Sequence, residues 1–204
     1  TGSSPKPKLP VCGWTHDGSS CRKRGDHHCK QRADHVIAFF SEVLVHTKGR
    51  YARTPFVPTS WQDKDILRPL FGEVIWSEEQ GAYVRRFVVA WIELGRKNGK
   101  SELQAGIMLY LLVADGEESA EIFGCARNRE QASLVFDVAS RMVQLSPVLS
   151  RRLQVKAHVR RIIDPKTNSF YVAIPADAQS ALGSNPSGVA ADEILAWPKR
   201  DLWD

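Results

Sequence analysis

The sequence has no long apolar run, and this absence excludes a membrane-spanning helix. Its longest apolar stretches, FVVAWIEL (87–94) and GIMLYLLVA (106–114), are far shorter than the roughly 20 residues that a helix needs to cross a bilayer. The amino-terminal stretch TGSSPKPKLP also lacks the apolar segment of a signal peptide. We therefore expect a soluble, cytoplasmic protein that makes no contact with a membrane.

The chain also lacks an internal repeat, so it is not an array of repeated units. Its 204 residues suffice for one full domain with a sizeable core and are too few for two large ones. The net charge of +5 is concentrated in residues 1–35, which hold seven Lys or Arg against three Asp, a balance of +4. Such a basic segment fits either binding to nucleic acid or a solvated tail. Charge alone therefore names no function.

Hydrophobic periodicity predicts an alternation of helices and strands after residue 35. Helices are predicted over 36–44, from Trp61, over 100–115 and over 128–145. Strands are predicted at EVIWS (73–77), YVRRFVVAWIEL (83–94), AEIFGCA (120–126) and GVAAD (188–192), with a hairpin over 160–176. The FVVAWIEL part is apolar enough for a central strand buried on both faces. The alternation predicts an α/β fold with a central, mainly parallel sheet flanked by helices.

The same patterns divide the chain into three segments. Residues 1–10 are rich in Pro, Lys and Ser and are expected to form a disordered tail. Residues 11–35 combine cysteines and histidines with almost no periodicity, which indicates a small nodule held by something other than a hydrophobic core. Residues 36–204 are expected to form the main domain.

A phosphate-binding loop is the first candidate site, although it lacks the leading glycine of the usual pattern G-x-x-x-x-G-K-[ST]. The last three positions are Gly99, Lys100 and Ser101, but the leading position is Leu94 and the glycine, Gly95, comes one place later. In such a loop, the glycine lets backbone N–H groups approach phosphates, the lysine neutralises their charge and the serine hydroxyl ligates Mg²⁺. The alternative is a surface turn between a strand and a helix that has these residues by chance.

An acidic pair about 90 residues further on is the second candidate. Asp192 and Glu193 end the apolar run GVAADE. A carboxylate at the end of a neighbouring strand can hold Mg²⁺, and an adjacent glutamate can orient and deprotonate the attacking water. The alternative is that the pair caps the following helix. Together with the loop, the pair predicts a nucleoside-triphosphate hydrolase.

Three cysteines near the amino terminus form a third candidate site. Cys12, Cys21 and Cys29, with one of the nearby histidines, would give Zn²⁺ a closed tetrahedral shell, and we favour His28 as the fourth ligand. The cysteines lack the tight C-x₂-C spacing of a standard zinc finger. Free thiols beside solvated histidines remain an alternative, whereas a disulfide is disfavoured in a reducing compartment. Cys125, in a buried strand pattern, is expected to serve packing.

Four motifs, taken together, resemble the large subunit of tailed-bacteriophage terminases, the motor that pumps viral DNA into the empty capsid. They are FVPTSWQ (56–62), GRKNGKS (95–101), CARNREQASLVFDVASRMV (125–143) and SNPSGVAADEILAW (184–197), in the order of that family. The shifted glycine of the loop is itself a habit of the family. The resemblance covers roughly residues 36–204 and implies a P-loop ATPase domain that uses ATP and Mg²⁺.

The resemblance implies roles for the matching loop and acidic residues. The ATP-binding loop would comprise Gly95, Arg96, Lys97, Asn98, Gly99, Lys100 and Ser101. Within it, Arg96 takes the place of a basic residue that senses or stabilises the γ-phosphate. Asp192 matches the metal-binding member of the family's acidic pair, and Glu193 matches the catalytic member.

Three further residues outside the loop are candidates under this resemblance. Gln62 resembles a glutamine that reads the adenine edge, and the alternative is an exposed glutamine at a helix start. Arg127 and Arg129 are candidates for an arginine that reaches into a neighbouring subunit's site. The alternative for both arginines is a solvated helix amino terminus.

The resemblance also implies partners and missing parts. The family's coupling segment and nuclease domain would lie beyond Asp204, so we expect this chain to be the ATPase domain alone. Its partners would be double-stranded DNA, the portal protein and a small terminase subunit, in a homo-oligomeric ring in the host cell cytoplasm. Two alternatives are a helicase or other nucleic-acid-dependent P-loop ATPase and a non-catalytic, zinc-bearing DNA-binding module.

Overall fold

The structure, a computed structural model, describes residues 9–95, 97–175, 185–194 and 197. The chain divides into two compact units, Thr1–Ala38 with Val57–Glu93, and Phe39–Phe56 with Leu94–Asp204. These units do not coincide with the segments 11–35 and 36–204 expected from the sequence. The limits of those two segments remain a prediction. Among the described helices, none is long and apolar enough to cross a membrane.

The first unit contains two small antiparallel sheets and a pair of helices. Its strands are β1 (Thr15–His16), β2 (Ser19–Ser20), β3 (His27–His28), β4 (Glu73–Ser77) and β5 (Ala82–Arg85), and its α-helices are α1 (Lys30–Ala38) and α2 (Arg68–Gly72). β1 pairs with β2, and β4 lies between β3 and β5. A π-helical segment, Gln62–Leu67, leads into α2, which confirms the helix predicted from Trp61.

The second unit contains the main sheet and the longer helices. Its strands are β6 (Glu121–Ala126), β7 (Gln154–Lys156), β8 (Arg161–Asp164), β9 (Ser169–Pro175) and β10 (Gly188–Asp192). Its α-helices are α3 (Lys100–Val113), α4 (Arg129–Leu145) and α5 (Pro147–Arg152), and it also holds a π-helical segment, Phe39–Val43, and 3-10 turns at Gly49–Tyr51 and Ala157–Val159. The predicted helices over 100–115 and 128–145 are confirmed.

The main sheet is mixed, with the strand order β10-β6-β9-β8-β7. β6 runs parallel to β10 and to β9, whereas β8 runs antiparallel to β9 and β7. The predicted α/β class is confirmed, but a mainly parallel sheet is correct only for the β10-β6-β9 half. The physical reason is the predicted hairpin: the short turn between Asp164 and Ser169 reverses the chain, and strands joined by a short turn can only pair antiparallel.

The core of the second unit lies between the sheet and the helices α3 and α4, which contact each other and the sheet. In α3, every residue from Ala105 to Tyr110 is buried. In α4, the Phe136 ring packs against Tyr171 of β9, with 6.3 Å between ring centroids. Side chains alternate between the two faces of a strand, so Phe123 and Cys125 of β6 point to the face of the sheet opposite to that of Ile122. There they form a cluster with Ile174, and Trp197 packs against it. Burial raises the pKa of the Cys125 thiol to about 11, as expected for a packing residue.

The prediction of a central buried strand at FVVAWIEL (87–94) is wrong. β5 ends at Arg85, and no described strand pairs with residues 87–94. Their side chains are exposed: Val88 is 90% exposed, Val89 67% and Trp91 58%. An apolar run indicates that a segment can be buried, but burial in a sheet also needs neighbouring strands, and the described residues supply none here.

Candidate functional sites

The loop before α3 has the backbone shape that a phosphate-binding turn requires. Gly99 immediately precedes α3 and has φ +73°, a left-handed conformation that glycine adopts without steric cost. Lys97 is also left-handed, with φ +69°. The Asn98 side-chain amide donates a hydrogen bond to the Gly95 carbonyl across 3.2 Å, which closes the turn. Arg96 lies outside the described residues.

The amino terminus of α3 is open to an anion. The first intrahelical bond runs from the Leu103 N–H to the Gly99 carbonyl at 3.0 Å. Among the described residues, no side chain caps the helix start. The N–H groups of the first turn have no intrahelical partners, and they lie at the positive end of the helix dipole. This arrangement is typical of sites for phosphate or carboxylate.

The structure brings the loop lysine and the acidic pair together. Lys100 Nζ lies 2.6 Å from Asp192 Oδ1 and 4.0 Å from Glu193 Oε1. Asp192 is the last residue of β10 and is buried, while Glu193 follows in a left-handed conformation with φ +50°. Such a conformation is costly for a non-glycine residue, and it is found at functional sites more often than elsewhere. The Trp197 indole N–H donates to the Asp192 carbonyl at 2.9 Å and so holds the strand end.

A cavity of about 450 Å³ adjoins this ion pair. It is lined by Thr47, Lys48, Leu94, Gly95, Lys97, Gly99, Lys100, Ser101, Glu102, Val138 and Glu193. Three of these side chains are lysines, which suits an anionic ligand, and two are carboxylates, which suit a cation held with it. The lining therefore fits a metal-bound polyphosphate better than a neutral ligand.

A hydrogen-bonded clamp beside the cavity was not predicted from the sequence. The Glu102 carboxylate accepts bonds from the Thr47 N–H at 2.7 Å, the Thr47 hydroxyl at 2.8 Å and His46 Nδ1 at 2.8 Å. Burial alone would raise the pKa of Glu102, but these three hydrogen bonds more than offset it, so the pKa is lowered. The clamp holds His46 and Thr47 against the first turn of α3, and Lys48 follows them directly in the chain. No sequence signal links Glu102 to a segment 55 residues earlier.

The other predicted nucleotide-site residues lie at defined positions. Gln62 is buried in the first unit, and its Oε1 accepts a bond from the Thr59 N–H at 2.9 Å. This burial excludes the exposed-glutamine alternative. Arg127 and Arg129 are exposed around the start of α4, where Asn128 Oδ1 caps the helix by accepting from the Gln131 N–H at 2.9 Å.

The amino-terminal cysteines converge in the first unit. All four cysteines of the chain are free thiols. The potential ligand atoms of Cys12, Cys21, His27 and Cys29 all lie within 4.8 Å of one another. The fourth member is therefore His27 and not His28, the histidine favoured from the sequence. His28 Nδ1 instead donates to Glu73 Oε1 at 3.0 Å, because neighbouring residues of β3 point to opposite faces.

Comparisons with known proteins show what the chain as a whole is similar to. A family model described as "Terminase large subunit, ATPase domain" matches residues 62–204. The chain is 28% identical over 176 residues to the "Terminase, large subunit" of Enterobacteria phage HK97, a match that covers 85% of this chain and 33% of that protein. The crystal structure of the HK97 bacteriophage large terminase matches with a TM-score of 0.64 and 27% identity, over 78% of this chain and 30% of that chain.

The fold and its relatives define an α/β ATPase domain of the P-loop class. More specifically, the chain belongs to the family of terminase large subunit ATPase domains, because the family model matches well over half of its length. It spans about a third of the length of its HK97 relative.

Proposed function

We propose that this domain binds Mg-ATP beside α3 and hydrolyses it, and that the full-length protein uses the reaction to pump double-stranded viral DNA into the procapsid. The observation that carries the proposal is the meeting of Lys100 with Asp192 and Glu193 at the open amino terminus of α3. A cation, a buried carboxylate and a second, accessible carboxylate are the groups that phosphoryl transfer from a magnesium-bound nucleotide requires.

The loop residues Gly95 to Ser101 would hold the phosphates. The left-handed turn at Gly99 lets backbone N–H groups approach phosphate oxygens closely. Lys100 would leave its partner Asp192 and neutralise charge on the terminal phosphates. Lys97 lines the same cavity and adds positive charge, and we assign Arg96 to the γ-phosphate from the resemblance alone.

The acidic residues would divide the metal and proton chemistry between them. The Ser101 hydroxyl and the Asp192 carboxylate would hold Mg²⁺, which when bound offsets the charge of the phosphate oxygens. Glu193 would orient the attacking water and take its proton. Its half-exposed side chain, 4.0 Å from Lys100, can reach solvent at the phosphate site.

Residues away from the loop would complete the site in the working assembly. We propose that Gln62 reads the adenine edge. Its Oε1 is already engaged by Thr59, which leaves its NH₂ group as the donor. Arg127 or Arg129, exposed at the start of α4, would reach into the site of a neighbouring subunit. Such an arginine can speed phosphoryl transfer by about 10³–10⁵-fold.

The remaining parts of the proposal concern the whole protein. It would work in the host cell cytoplasm as a ring of identical subunits on the portal, with DNA and a small terminase subunit as partners. Endonuclease activity would belong to a separate domain of the full-length protein. Membership of the terminase family supports these partners.

A packaging assay tests this function directly. Full-length protein, procapsids with portal and linear double-stranded DNA are incubated with ATP, and nuclease-protected DNA is measured. We expect protection with the wild type, loss of it with Glu193→Gln, and retention with Glu118→Gln, which changes an exposed glutamate outside the cavity lining in the same way. Two outcomes would overturn the proposal. Strand separation without packaging would indicate a helicase, and DNA binding without ATP consumption would indicate a non-catalytic module.

A further inference from the structure

We propose that Cys12, Cys21, His27 and Cys29 bind one Zn²⁺ ion in a closed structural site. The proposal is independent of the nucleotide site, because these residues belong to the first unit and the nucleotide cavity is lined by residues of the second. Three thiolates and one imidazole are a donor set that favours zinc over the oxygen-seeking Mg²⁺ and Ca²⁺.

Two of the distances within the cluster fit a tetrahedral zinc shell. Zn–S bonds of about 2.3 Å and a Zn–N bond of about 2.0 Å place two ligand sulfurs roughly 3.8 Å apart, and a sulfur and a nitrogen roughly 3.5 Å apart. The structure has 3.9 Å between Cys12 Sγ and Cys29 Sγ, and 3.3 Å between Cys21 Sγ and His27 Nε2. A disulfide would require about 2.05 Å between sulfurs, so the thiols are arranged for a metal and not for a bond to each other.

The imidazole of His27 is held in the tautomer that a metal requires. Its Nδ1 lies 2.6 Å from the Gly25 carbonyl, which can only accept, so Nδ1 carries the proton and the Nε2 lone pair faces the thiols. The Gly25 N–H donates to the Tyr83 hydroxyl at 2.7 Å, and that hydroxyl donates to the Pro10 carbonyl at 2.9 Å. Such outer-shell hydrogen bonds to a ligating histidine orient the ring and raise its basicity as a ligand.

The backbone around the cysteines is organised without a large apolar core. The Cys12 N–H donates to the Lys23 carbonyl at 2.9 Å, and the Cys21 N–H donates to the Trp14 carbonyl at 2.8 Å, so the segment folds back on itself. The Cys29 N–H donates to the Gly72 carbonyl at 2.7 Å, which joins the cluster to the end of α2. A metal would join the three segments that carry these cysteines. It would supply a cross-link that β1 and β2 cannot, because each is only two residues long.

The number of protein ligands, and the burial of two of them, indicate a structural site and not a catalytic one. Cys29 is 0% exposed and Cys21 4% exposed, and Val74 and Tyr83 pack around them. Cys12 and His27 are partly buried, and with four protein ligands the ion would keep no open position for a substrate.

The test begins with the wild-type chain, purified without chelator and analysed for metal by mass spectrometry. We expect about one zinc per chain. Replacement by Co²⁺ should give an intense sulfur-to-cobalt charge-transfer band and the visible absorption of a tetrahedral ion. A zinc content far below one per chain after zinc-supplemented expression, or an octahedral cobalt spectrum, would overturn the proposal.

Two adjacent histidines provide a matched pair of variants. Loss of an outer-shell partner weakens metal binding by about 10–100-fold, and His27→Ala, which removes a ligand, should weaken zinc binding by more than this. His28→Ala should bind nearly as much zinc per chain as the wild type. Cys125→Ser, outside the cluster, should also keep its zinc. Retention of zinc by His27→Ala with loss by His28→Ala would contradict the ligand set. The cobalt spectrum of the wild type decides the question even where a variant fails to fold.

Discussion

Lys100 Nζ lies 2.6 Å from Asp192 Oδ1, so the first residue of α3 forms an ion pair with the last residue of β10. Asp192 is only 8% exposed, and a carboxylate so far from water needs a nearby opposite charge. Under the proposed function, the pair is also a resting arrangement. Binding of Mg-ATP would break this pair. Asp192 would then hold the metal, and Lys100 would contact a phosphate.

The ion pair predicts energetic coupling between the two residues. Lys100→Ala leaves the Asp192 carboxylate buried without its cation, and we expect the free energy of unfolding to fall by about 1–3 kcal/mol. Adding Asp192→Asn removes the orphaned charge, so the double variant should be less destabilised than the sum of the single variants. Urea unfolding of the four proteins measures this. If the double variant's loss of unfolding free energy equals the sum of the two single losses within about 0.5 kcal/mol, the two residues are not coupled.

The Glu102 clamp predicts a pH-dependent contribution to stability. The pKa of Glu102 is lowered below its ordinary value of 4.5, because bonds from Thr47 and His46 outweigh the effect of burial. Between the folded and unfolded pKa values the unfolded state binds more protons, so stability rises with pH through that window. The contribution is therefore complete above pH 4.5 and is lost as the pH falls through the folded pKa.

Two variants measure the clamp. Glu102→Gln should unfold more easily than the wild type by about 1–2 kcal/mol at pH 7, and the difference should shrink in acid below pH 4.5. Thr47→Val, which removes only the hydroxyl donor, should cost about half as much. Thermal unfolding between pH 3 and pH 7 provides the comparison. A difference between Glu102→Gln and wild type that stays constant across this range would contradict the clamp.

The left-handed turn at Gly99 predicts a variant that affects both stability and nucleotide binding. With φ +73°, an added Cβ is strained, and Gly99→Ala should cost about 1–2 kcal/mol and weaken Mg-ATP binding at least tenfold. Gly116 is the matched control, because it has φ +90° but lies in an exposed loop outside the cavity lining. Gly116→Ala should lose similar stability and keep its affinity for nucleotide. Equal affinity of both variants for Mg-ATP would show that the turn at Gly99 does not bind the phosphates.

The parts of the fold that depend on local periodicity could be predicted from the sequence. α3 and α4 have apolar patterns over 14 and 17 residues, and the short apolar runs of β6 and β10 alternate with them as strands do in an α/β fold. Of the strand predicted over 83–94, the part at 87–94 was wrong, because burial in a sheet depends on pairing partners and a run of apolar residues says nothing about their presence.

In the candidate sites, too, local sequence patterns predicted some features, whereas others depend on the tertiary structure. Lys100, Asp192 and Glu193, which the sequence assigns to one nucleotide site, lie close together in the structure. The choice of His27 over His28 depends on which face of β3 turns toward the cysteines, and adjacent residues with identical side chains cannot reveal that. The Glu102 clamp joins segments far apart in the chain, a contact that only the tertiary structure defines.

Calorimetric titration of Mg-ATP tests the central claim most directly. Binding does not need a neighbouring subunit's arginine, so this chain alone should report it. We predict that wild type and Glu193→Gln bind Mg-ATP with similar affinity, while Lys100→Ala, confirmed as folded by circular dichroism, shows no heat of binding. Binding by Lys100→Ala equal to that of the wild type, or no binding by any of the three folded proteins, would contradict a nucleotide site beside α3.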